Sequence, residues 1–439
     1  MFRDLPPYAQ TAQNPFWSAP TPSHWSVQPG LGVLQENRHK NVGLIEAQVL
    51  SLSYGKVVVK PVEKQRGLVP DSYEGYQILD PGDIVVRPTD LQNDQTSIRV
   101  GHVNDRGIIT SAYIGLRAAG GWNGSYAYQY LSVVDSSKRI YGMGSGLRQQ
   151  LGWSDLKRMP CLVPPAEEQA AIVKYLAHAN ARIDKAVAAK RRLAVLLAEG
   201  HHAYHDRALN DPSHPNLRTV RIKSLLHEVD ERSPRGEEQH LSMSQKHGLV
   251  PASRVTRTLT AESMAGGRIC QPGDIVLNRL KAHLGVFAVA QQAGVVSADY
   301  TVLRSQADVV PEFLCRQLRS GTMRPELRRR TKGIVEGFWR LYTEDLLAMH
   351  VRVPDSSTQE RVVREIDGRD EEFRRTTSKI ADEIALLQEF RSRLVADVVT
   401  GQIDVRAIAA SLPDTPEQDS DLDALLDDEV EDVLGESEE

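Results

Sequence analysis

The sequence is poor in the residues that build disulfide frameworks and thiolate metal sites. Three cysteines, Cys161, Cys270 and Cys315, occur among 439 residues, and they lie far apart in the chain. No Cys-x-x-Cys pair and no Cys/His ligand spacing surrounds them, so we interpret them as structural thiols. This pattern predicts neither a disulfide scaffold nor a zinc site.

Long apolar runs are also absent from the sequence. No segment approaches the roughly 18 apolar residues that a membrane span requires. The first residues, Met1–Pro7, contain no apolar core of the kind found in signal peptides. These absences predict a cytoplasmic protein with no membrane partner.

Catalytic and cofactor motifs are missing as well. There is no Gly-x-x-x-x-Gly-Lys-Ser/Thr loop, which argues against ATP hydrolysis by this chain. Residues 14–17 (Asn-Pro-Phe-Trp) approach an Asn-Pro-Pro-aromatic methyltransferase motif, but they lack its second proline and the glycine-rich loop that should precede it. His201, His202 and His205 could place two imidazoles one helical turn apart, but no carboxylate or cysteine beside them completes a site. We therefore expect no catalytic residues, no cofactor and no metal in this chain.

What the sequence does contain is a duplication. Four segments of the first half return in the second half, displaced by 181 to 191 residues. A repeat of this length indicates two whole domains rather than a solenoid of small units, and it predicts approximate internal two-fold character. The repeated pairs are Leu50–Ser53 with Leu241–Ser244, Gly67–Pro70 with Gly248–Pro251, Pro81–Val85 with Pro272–Val276, and Gly107–Tyr113 with Gly294–Tyr300.

Charge is distributed unevenly along the chain. Residues 411–439 carry 13 Asp and Glu and no Lys or Arg, so without them the formal net charge changes from −5 to +8. A block of like charges repels itself and has little to bury, which predicts a disordered acidic tail over 407–439. The rest of the chain is mildly basic and could face phosphate groups.

Each copy ends in a long helical pattern. The first pattern follows Pro164–Gln169, and the second follows Pro354–Gln359. Neither contains proline for about 40 residues, so each helix would span about 60 Å. Ser356 or Ser357 suits the start of the second helix as a capping residue, and Gly401 suits a left-handed stop.

A seven-residue apolar repeat runs through both helices. A repeat held over this length predicts the seam of a coiled coil, and because the helices end duplicated domains we expect them to pack antiparallel. We interpret the seam residues as packing groups and the polar ones among them as fixing register. The seam positions are Leu176, Ile183, Lys190, Leu197 and Tyr204 with Asn180, Val187, Ala194, His201 and Ala208, and Ile366, Phe373, Ile380, Leu387 and Leu394 with Asp370, Thr377, Ile384, Arg391 and Val398.

The residues before each helix are typical of mixed α/β domains. Strand-like segments such as Lys56–Val59 and Asp83–Arg87 alternate with turn signals such as Asp80–Asp83 and Gln271–Asp274. The predicted fold class is α+β, with two mixed α/β domains separated by a long antiparallel two-helix coiled coil. The predicted boundaries are 1–160 and 211–353 for the domains, 161–210 and 354–406 for the helices, and 407–439 for the tail.

Equivalent loops carry different polar residues in the two copies. After the shared Pro-Gly-Asp-Ile-Val, the first copy continues over 86–94 and the second over 277–283; residues 142–150 and 328–340 form a second pair of glycine-rich or basic segments. Such side chains contact phosphates or hydrogen-bond to base edges, although solvated loops have the same composition. The candidate DNA-binding residues are Ser53, Tyr54, Lys56, Arg87, Asp90, Gln92, Asn93, Arg99, Ser145, Arg148 and Gln149 in the first copy, and Ser244, Lys246, Asn278, Arg279, Lys281, His283, Lys332 and Arg340 in the second.

Together these features resemble the specificity subunit of type I restriction–modification enzymes, over about residues 20–406. Two variable domains are each followed by Pro-x-x-x-x-Gln and a long helix. The second helix ends in Val-Thr-Gly-Gln-Ile-Asp-Val-Arg, residues 399–406. The second helix start departs from the first, because it keeps Gln359 but has no counterpart of the acidic pair Glu167 and Glu168.

The resemblance implies two target-recognition domains, each binding one half of a bipartite, asymmetric site in double-stranded DNA. It implies assembly with two methyltransferase subunits, which use S-adenosylmethionine, and with restriction–translocase subunits, which use ATP with Mg²⁺. The helices would set the unread gap and dock the partners. The residues assigned to the coiled coil and to docking are Gln169, Leu176, Ile183, Leu197, Gln359, Ile366, Phe373, Ile380, Leu387 and Leu394.

A protein of another class remains compatible with the sequence. A coiled-coil scaffold or adaptor that binds proteins and never contacts DNA would also have long helices and a mildly basic surface. Salt-sensitive DNA binding would distinguish the two functions.

Overall fold

The computed structural model describes residues 5–53, 55–61, 72–89, 91, 98–143, 150–244, 248–254, 263–306, 308–333 and 339–416. Their contacts divide the chain into two compact units. Unit 1 lies within Met1–Ala189 and Glu383–Ala424, and the described residues of unit 2 lie within Lys190–Asp382. Each long helix therefore contributes one half to each unit.

Unit 1 combines short strands with helices. Its helices are α1 (Gly30–Val33), α2 (Gly124–Ser136), α3 (Trp153–Leu156) and the first half of α4 (Ala166–Asn210). Its strands are β1 (Thr11–Asn14), β2 (Ala19–Pro22), β3 (Ser26–Pro29), β4 (Leu34–Glu36), β5 (Leu50–Ser53), β6 (Lys56–Val59), β7 (Gln77–Leu79), β8 (Ile84–Val86), β9 (Val100–His102), β10 (Gly107–Ile109), β11 (Ile114–Ala118) and β12 (Pro160–Val163).

Unit 2 repeats this order of elements. Its helices are α5 (Pro311–Arg319), α6 (Arg324–Arg330), α7 (Thr343–Leu347) and the first half of α8 (Ser356–Val399), while α9 (Arg406–Ser411) belongs to unit 1. Its strands are β13 (Arg218–Arg221), β14 (Leu226–Val229), β15 (Leu241–Ser244), β16 (Gly248–Pro251), β17 (Arg268–Cys270), β18 (Ile275–Asn278), β19 (Phe287–Val289), β20 (Gly294–Val296), β21 (Tyr300–Ser305) and β22 (His350–Val353).

The sheets confirm the duplication and the predicted fold class. The strand order β4-β11-β8-β9 in unit 1 matches β14-β21-β18-β19 in unit 2. The pairs β7–β10 and β3–β12 match β17–β20 and β13–β22. One difference is that β6 and β5 extend the unit 1 sheet to six strands, whereas β15 and β16 form a separate hairpin.

The repeated Pro-Gly-Asp segments form the turns that lead into β8 and β18. Gly82 and Gly273 have φ of 93° and 89°, a conformation that favours glycine. The next residue, Asp83 or Asp274, is buried, and its carboxylate accepts a backbone N–H three residues upstream. The repeated sequence is therefore explained by turn geometry, as its turn residues predict.

The seam of the two long helices also follows the heptad prediction. In unit 1, the first half of α4 shares a core with Leu394 and Val398 of α8. In unit 2, Leu209 at the end of α4 shares a core with Val362 and Ile366. This pairing of opposite halves is antiparallel, and every predicted seam residue is buried or half-buried.

The polar seam residues make contacts between the two helices. Arg391 pairs with Asp184 in unit 1, and Asp370 accepts hydrogen bonds from His201 and His205 in unit 2. Contacts of this kind are specific to one alignment of the helices, which supports the expectation that polar residues fix register.

The glutamines at the two helix starts make matching internal contacts. Gln169 Oε1 accepts the backbone N–H of Asn123 at 2.7 Å, and Gln359 Oε1 accepts that of Val310 at 2.9 Å. The Nε2 groups donate to Pro164 O and to Pro354 O. Both glutamines are buried, so their assignment to partner docking is replaced by a role within each unit.

The start of α8 is capped differently from the prediction. Asp355 Oδ1 accepts the backbone N–H of Thr358 at 2.9 Å, so Asp355 is the capping residue rather than Ser356 or Ser357. The end of the helix agrees with the prediction, because Gly401 has φ of 75°.

The acidic residue before Gln169 has a role in unit 1 that explains why the two helix starts differ in sequence. Glu168 is buried and accepts hydrogen bonds from Tyr8 Oη, Trp25 Nε1 and Arg406 Nη1 at 3.1, 2.8 and 3.2 Å. His24 Nε2 lies 2.7 Å from Glu168 Oε1. This one carboxylate thus ties the N-terminal segment to the segment that follows α8. In unit 2 the same position is Thr358.

The beginning of the acidic tail is ordered, which corrects the prediction for residues 407–416. Helix α9 buries Ala409 in the unit 1 core, and Ile408 and Leu412 pack against that core. Lys174 Nζ pairs with Asp414 at 3.0 Å. Apolar residues before the acidic block bury enough surface to order the chain here, and the tail beyond residue 416 lies outside the described residues.

The three cysteines are buried, as expected of structural thiols. Burial raises the pKa of Cys270 and of Cys315 to about 11. Among the described residues, no helix is both long and apolar enough to cross a membrane.

Candidate nucleic-acid interface

The loop after β18 is shaped by the residues that the sequence singled out. Asn278 ends the strand, and its Oδ1 accepts the backbone N–H of Leu280 at 3.1 Å, which starts a 3-10 turn over Arg279–Leu284. Arg279 Nε donates to Asp299 O at 2.7 Å, and Nη2 donates to Ala298 O at 3.1 Å. Asn278 and Arg279 therefore build the loop, and the Arg279 side chain is only 17% exposed.

Three arginines lie near this loop, together with the carboxylates that face them. Burial lowers the pKa of Arg279, and the charges of Arg268 and Arg340 lower it further. Arg340 Nη2 reaches Asp299 Oδ1 at 2.9 Å, so one carboxylate faces both Arg279 and Arg340. The charges of Asp299 and Glu228 oppose those of the arginines, and Arg268 itself pairs with Glu228 at 2.6 Å.

A second segment lies beside the 3-10 turn. Lys332 and Arg340 form an antiparallel backbone bridge, with hydrogen bonds of 2.9 Å in both directions, at the base of segment 334–338, which lies outside the described residues. Lys332 Nζ pairs with Asp345 at 2.7 Å and lies 5.7 Å from the ring centre of Tyr342. Lys332 and Tyr342 are both exposed.

Aromatic rings and basic side chains lie next to one another on this surface. The His283 ring meets the Trp339 ring edge-on at 5.1 Å, and the Arg328 guanidinium lies 5.6 Å from the Trp339 ring centre. Lys281 is exposed on the neighbouring 3-10 turn. Basic side chains contact phosphates, and aromatic side chains can stack on nucleobases or sugars. We call this surface the basic–aromatic patch: Lys281, His283, Arg328, Lys332, Trp339 and Tyr342.

His283 sits in the patch as a polar rather than a charged group. Burial lowers its pKa, and the nearby charge of Arg328 lowers it further. Its Nδ1 is buried, and no hydrogen-bond partner occurs among the described residues. A neutral imidazole has one donor and one acceptor nitrogen, and with Nδ1 buried only Nε2 can hydrogen-bond to a ligand.

The described candidates of unit 1 are fewer. Ser53 and Lys56 are exposed and face each other across the β5–β6 hairpin. Arg87 follows β8 and is half-buried. Ser244 of unit 2 occupies the position equivalent to Ser53 and pairs with Gly248.

Arg99 is placed differently from the prediction. It is fully buried, and its Nη1 and Nε donate to Thr89 O at 2.5 Å and Tyr141 Oη at 3.1 Å. Its backbone N–H donates to Asp135 Oδ2 at 2.6 Å. The Arg99 guanidinium therefore holds Thr89 and Tyr141 from inside unit 1, and we remove Arg99 from the candidate interface.

The other candidates lie outside the described residues. They are Tyr54, Asp90, Gln92, Asn93, Ser145, Arg148, Gln149 and Lys246.

Sequence reasoning missed some members of the patch. Arg328, Trp339 and Tyr342 were not among the candidates, although the first two lie in the basic segment 328–340. The available signal was the mixture of aromatic residues with bases, which is typical of nucleic-acid surfaces.

Duplicated α+β units that share two long paired helices define the fold class of this chain. No protein-family model and no curated protein sequence matches it. Several chains of solved structures do, and two of them show the likeness. A chain from a study of complex assembly and conformational transition of the type I R-M system has a TM-score of 0.63 at 16% identity, covering 87% of this chain and 99% of that one. The HsdS subunit from Thermoanaerobacter tengcongensis has a TM-score of 0.50 at 17% identity, covering 87% and 98%.

These similarities confirm at the level of the fold the resemblance that the sequence indicated. They extend over nearly the whole length of both relatives, so the chain has all of their architecture rather than one domain of it.

Proposed function

We propose that this chain is the DNA-specificity subunit of a type I restriction–modification complex. The observation that carries the proposal is its fold, which it shares over 87% of its length with an HsdS subunit and with a chain of the type I R-M system. Each unit would read one half of a bipartite site in double-stranded DNA, because the two units repeat one scaffold with different surface residues.

The chemistry of the patch supports this function for unit 2. Lys281, Arg328 and Lys332 would contact phosphates, which provide affinity but little sequence information. His283 is held neutral, so it can add a hydrogen bond that depends on the base. Unit 1 would contact its half-site through Ser53, Lys56 and Arg87 and through the candidates outside the described residues.

The remaining activities would belong to partner subunits. Two methyltransferase subunits would bring S-adenosylmethionine, and restriction–translocase subunits would bring ATP and Mg²⁺. This chain would contribute recognition and, through α4 and α8, a surface on which they assemble. A structural relative from a study of complex assembly supports a role in a multisubunit complex.

A salt titration tests the proposal against the adaptor alternative. The full chain is titrated onto labelled double-stranded DNA between roughly 50 and 200 mM salt. We expect binding to weaken as salt rises, with a log–log slope that falls by about one unit in Lys281→Ala. Lys379→Ala, which removes an exposed charge from α8, is the matched control and should leave the slope unchanged.

The alternative predicts a different result. A scaffold or adaptor would bind this DNA no better at low salt than at high salt, and Lys281→Ala would behave like Lys379→Ala. Sequencing of methylated sites in the source strain, with and without the gene, then tests the restriction–modification assignment itself. Loss of one bipartite methylation motif on deletion is the expected result.

A further inference from the structure

Two histidines and one aspartate converge between the long helices of unit 2. His201 and His205 lie one turn apart on α4, and Asp370 lies on α8. Their Nε2 atoms are 2.9 and 2.7 Å from Asp370 Oδ1. One ligand atom from each of the three residues lies within 4.8 Å of those of the other two.

This arrangement overturns the reason for predicting no metal at these histidines. The sequence indicated no carboxylate that would complete a site with His201 and His205, whereas the fold brings Asp370 to them from 165 or more residues away. Both imidazoles point to one carboxylate oxygen.

The surroundings fix the orientation of the three side chains. The Phe373 ring stacks on the His201 ring with centres 4.2 Å apart and planes within 15°. Arg316 Nη1 lies 3.9 Å from the other oxygen of Asp370, and Arg316 also pairs with Asp367. Outer groups that hold ligand rings and carboxylates in place are a regular feature of metal sites. The ligand side chains are 16–29% exposed, so an ion and water can reach them.

We propose that His201, His205 and Asp370 bind a divalent transition-metal ion of the zinc class, which joins α4 to α8 within unit 2. Two imidazoles and one carboxylate suit Zn²⁺ and its neighbours better than Mg²⁺ or Ca²⁺, which take oxygen ligands. Bonds of about 2.0–2.1 Å in tetrahedral geometry separate ligand atoms by roughly 3.3 Å, so the groups must move apart by about half an ångström. Water would complete the fourth position.

Zinc titration calorimetry on the full chain, purified without a histidine tag, tests this site. We expect one zinc ion per chain in the wild type, and loss of that ion in Asp370→Asn and in His205→Gln. His202→Gln is the matched control, because His202 is an exposed histidine of the same helical turn. It should keep the bound ion.

Thermal unfolding gives a second readout. An ion that binds the folded chain raises its melting temperature, so added zinc should raise that of the wild type and of His202→Gln but not that of His205→Gln. Equal zinc binding by the wild type and His205→Gln, or equal loss in His202→Gln, would overturn the proposal. If Asp370→Asn fails to fold by circular dichroism, His205→Gln alone decides. The proposed function uses none of the three ligands. A failure to bind zinc would therefore leave that function standing.

Discussion

Arg304 donates two hydrogen bonds of 2.8 Å, from Nε and Nη2, to the two carboxylate oxygens of Asp274. The Asp274 side chain is 2% exposed, whereas that of Arg304 is 39% exposed. Unit 1 repeats this contact between Arg117 and Asp83. The pair joins the Pro-Gly-Asp turn to the neighbouring strand β21, at the end of β18 opposite the loop over Arg279–Leu284.

Removal of Arg304 should destabilise unit 2. Arg304→Ala leaves a buried carboxylate without its charged donors, which we expect to cost about 1–3 kcal/mol in the free energy of unfolding. Arg304→Lys keeps the charge but loses the paired geometry, so its loss should be smaller. Urea denaturation measures both, and identical midpoints for the wild type and Arg304→Ala would contradict the role.

Substitutions in the two units should alter different halves of the recognised site. His283→Ala should weaken or relax one half, and Arg87→Ala the other, with about 1–3 kcal/mol for a lost base contact. Sequencing of methylated sites in a strain carrying each variant measures this. Changes at the same bases in both variants would refute the division between units.

Arg328→Ala should raise the pKa of His283. Burial and the Arg328 charge both lower that pKa in the native protein, so removing the charge leaves burial alone. Titration of the His283 ring by nuclear magnetic resonance measures the change. Arg329→Ala is a suitable control, because Arg329 pairs with Glu326 rather than facing the imidazole. An unchanged or lower pKa in Arg328→Ala would count against the electrostatic coupling.

Asp135→Asn should stabilise the protein near neutral pH. Burial raises the pKa of Asp135 above its unfolded value, although a hydrogen bond from Arg99 N–H opposes this. A raised folded pKa means that stability is lost as pH rises through it, and asparagine avoids this loss. The melting temperature of the variant should exceed that of the wild type at pH 7, with the difference shrinking below the unfolded pKa of aspartate. A constant difference at every pH would point to packing instead.

Longer helices should widen the unread gap in the DNA site. Seven residues inserted near Ala188 and seven near Ser378 keep the seam in phase and lengthen each helix by about 10 Å, or roughly three base pairs. Four residues inserted in α8 alone would put Ile380 and Leu394 out of register and should abolish assembly. The methylated motif of the heptad variant is the measurement, and an unchanged gap in an active complex would show that the helices do not set it.

Periodic and local features were predictable from the sequence. Leu50–Ser53 and Leu241–Ser244 became equivalent strands, and Ile366, Ile380 and Leu394 became buried seam residues. Both predictions rest on patterns that repeat along the chain, and a repeated pattern implies a repeated environment.

Contacts between distant residues were not predictable. The partners of Glu168, among them Trp25 and Arg406, lie more than 140 residues away, and no periodicity links them. Arg99 was predicted to bind DNA, whereas its side chain is buried and donates hydrogen bonds to Thr89 O and Tyr141 Oη inside unit 1. Composition likewise gave a wrong prediction of disorder at Ala409. The burial of a few apolar residues around Ala409 orders this part of the chain despite the acidic block that follows.

The carboxylate of Glu168 has a consequence for synthesis on the ribosome. The described residues of unit 2 all come from one stretch of the chain, Lys190–Asp382. Unit 1 is built from two stretches, the first 189 residues and the segment after Asp382. Domains emerging from the ribosome generally fold from the N-terminus onward. Here the order is reversed, because Arg406 is translated after all the described residues of unit 2. Unit 2 can complete its fold first, and the set of bonds that Tyr8, Trp25 and Arg406 make to Glu168 is complete only when the segment after unit 2 has been made.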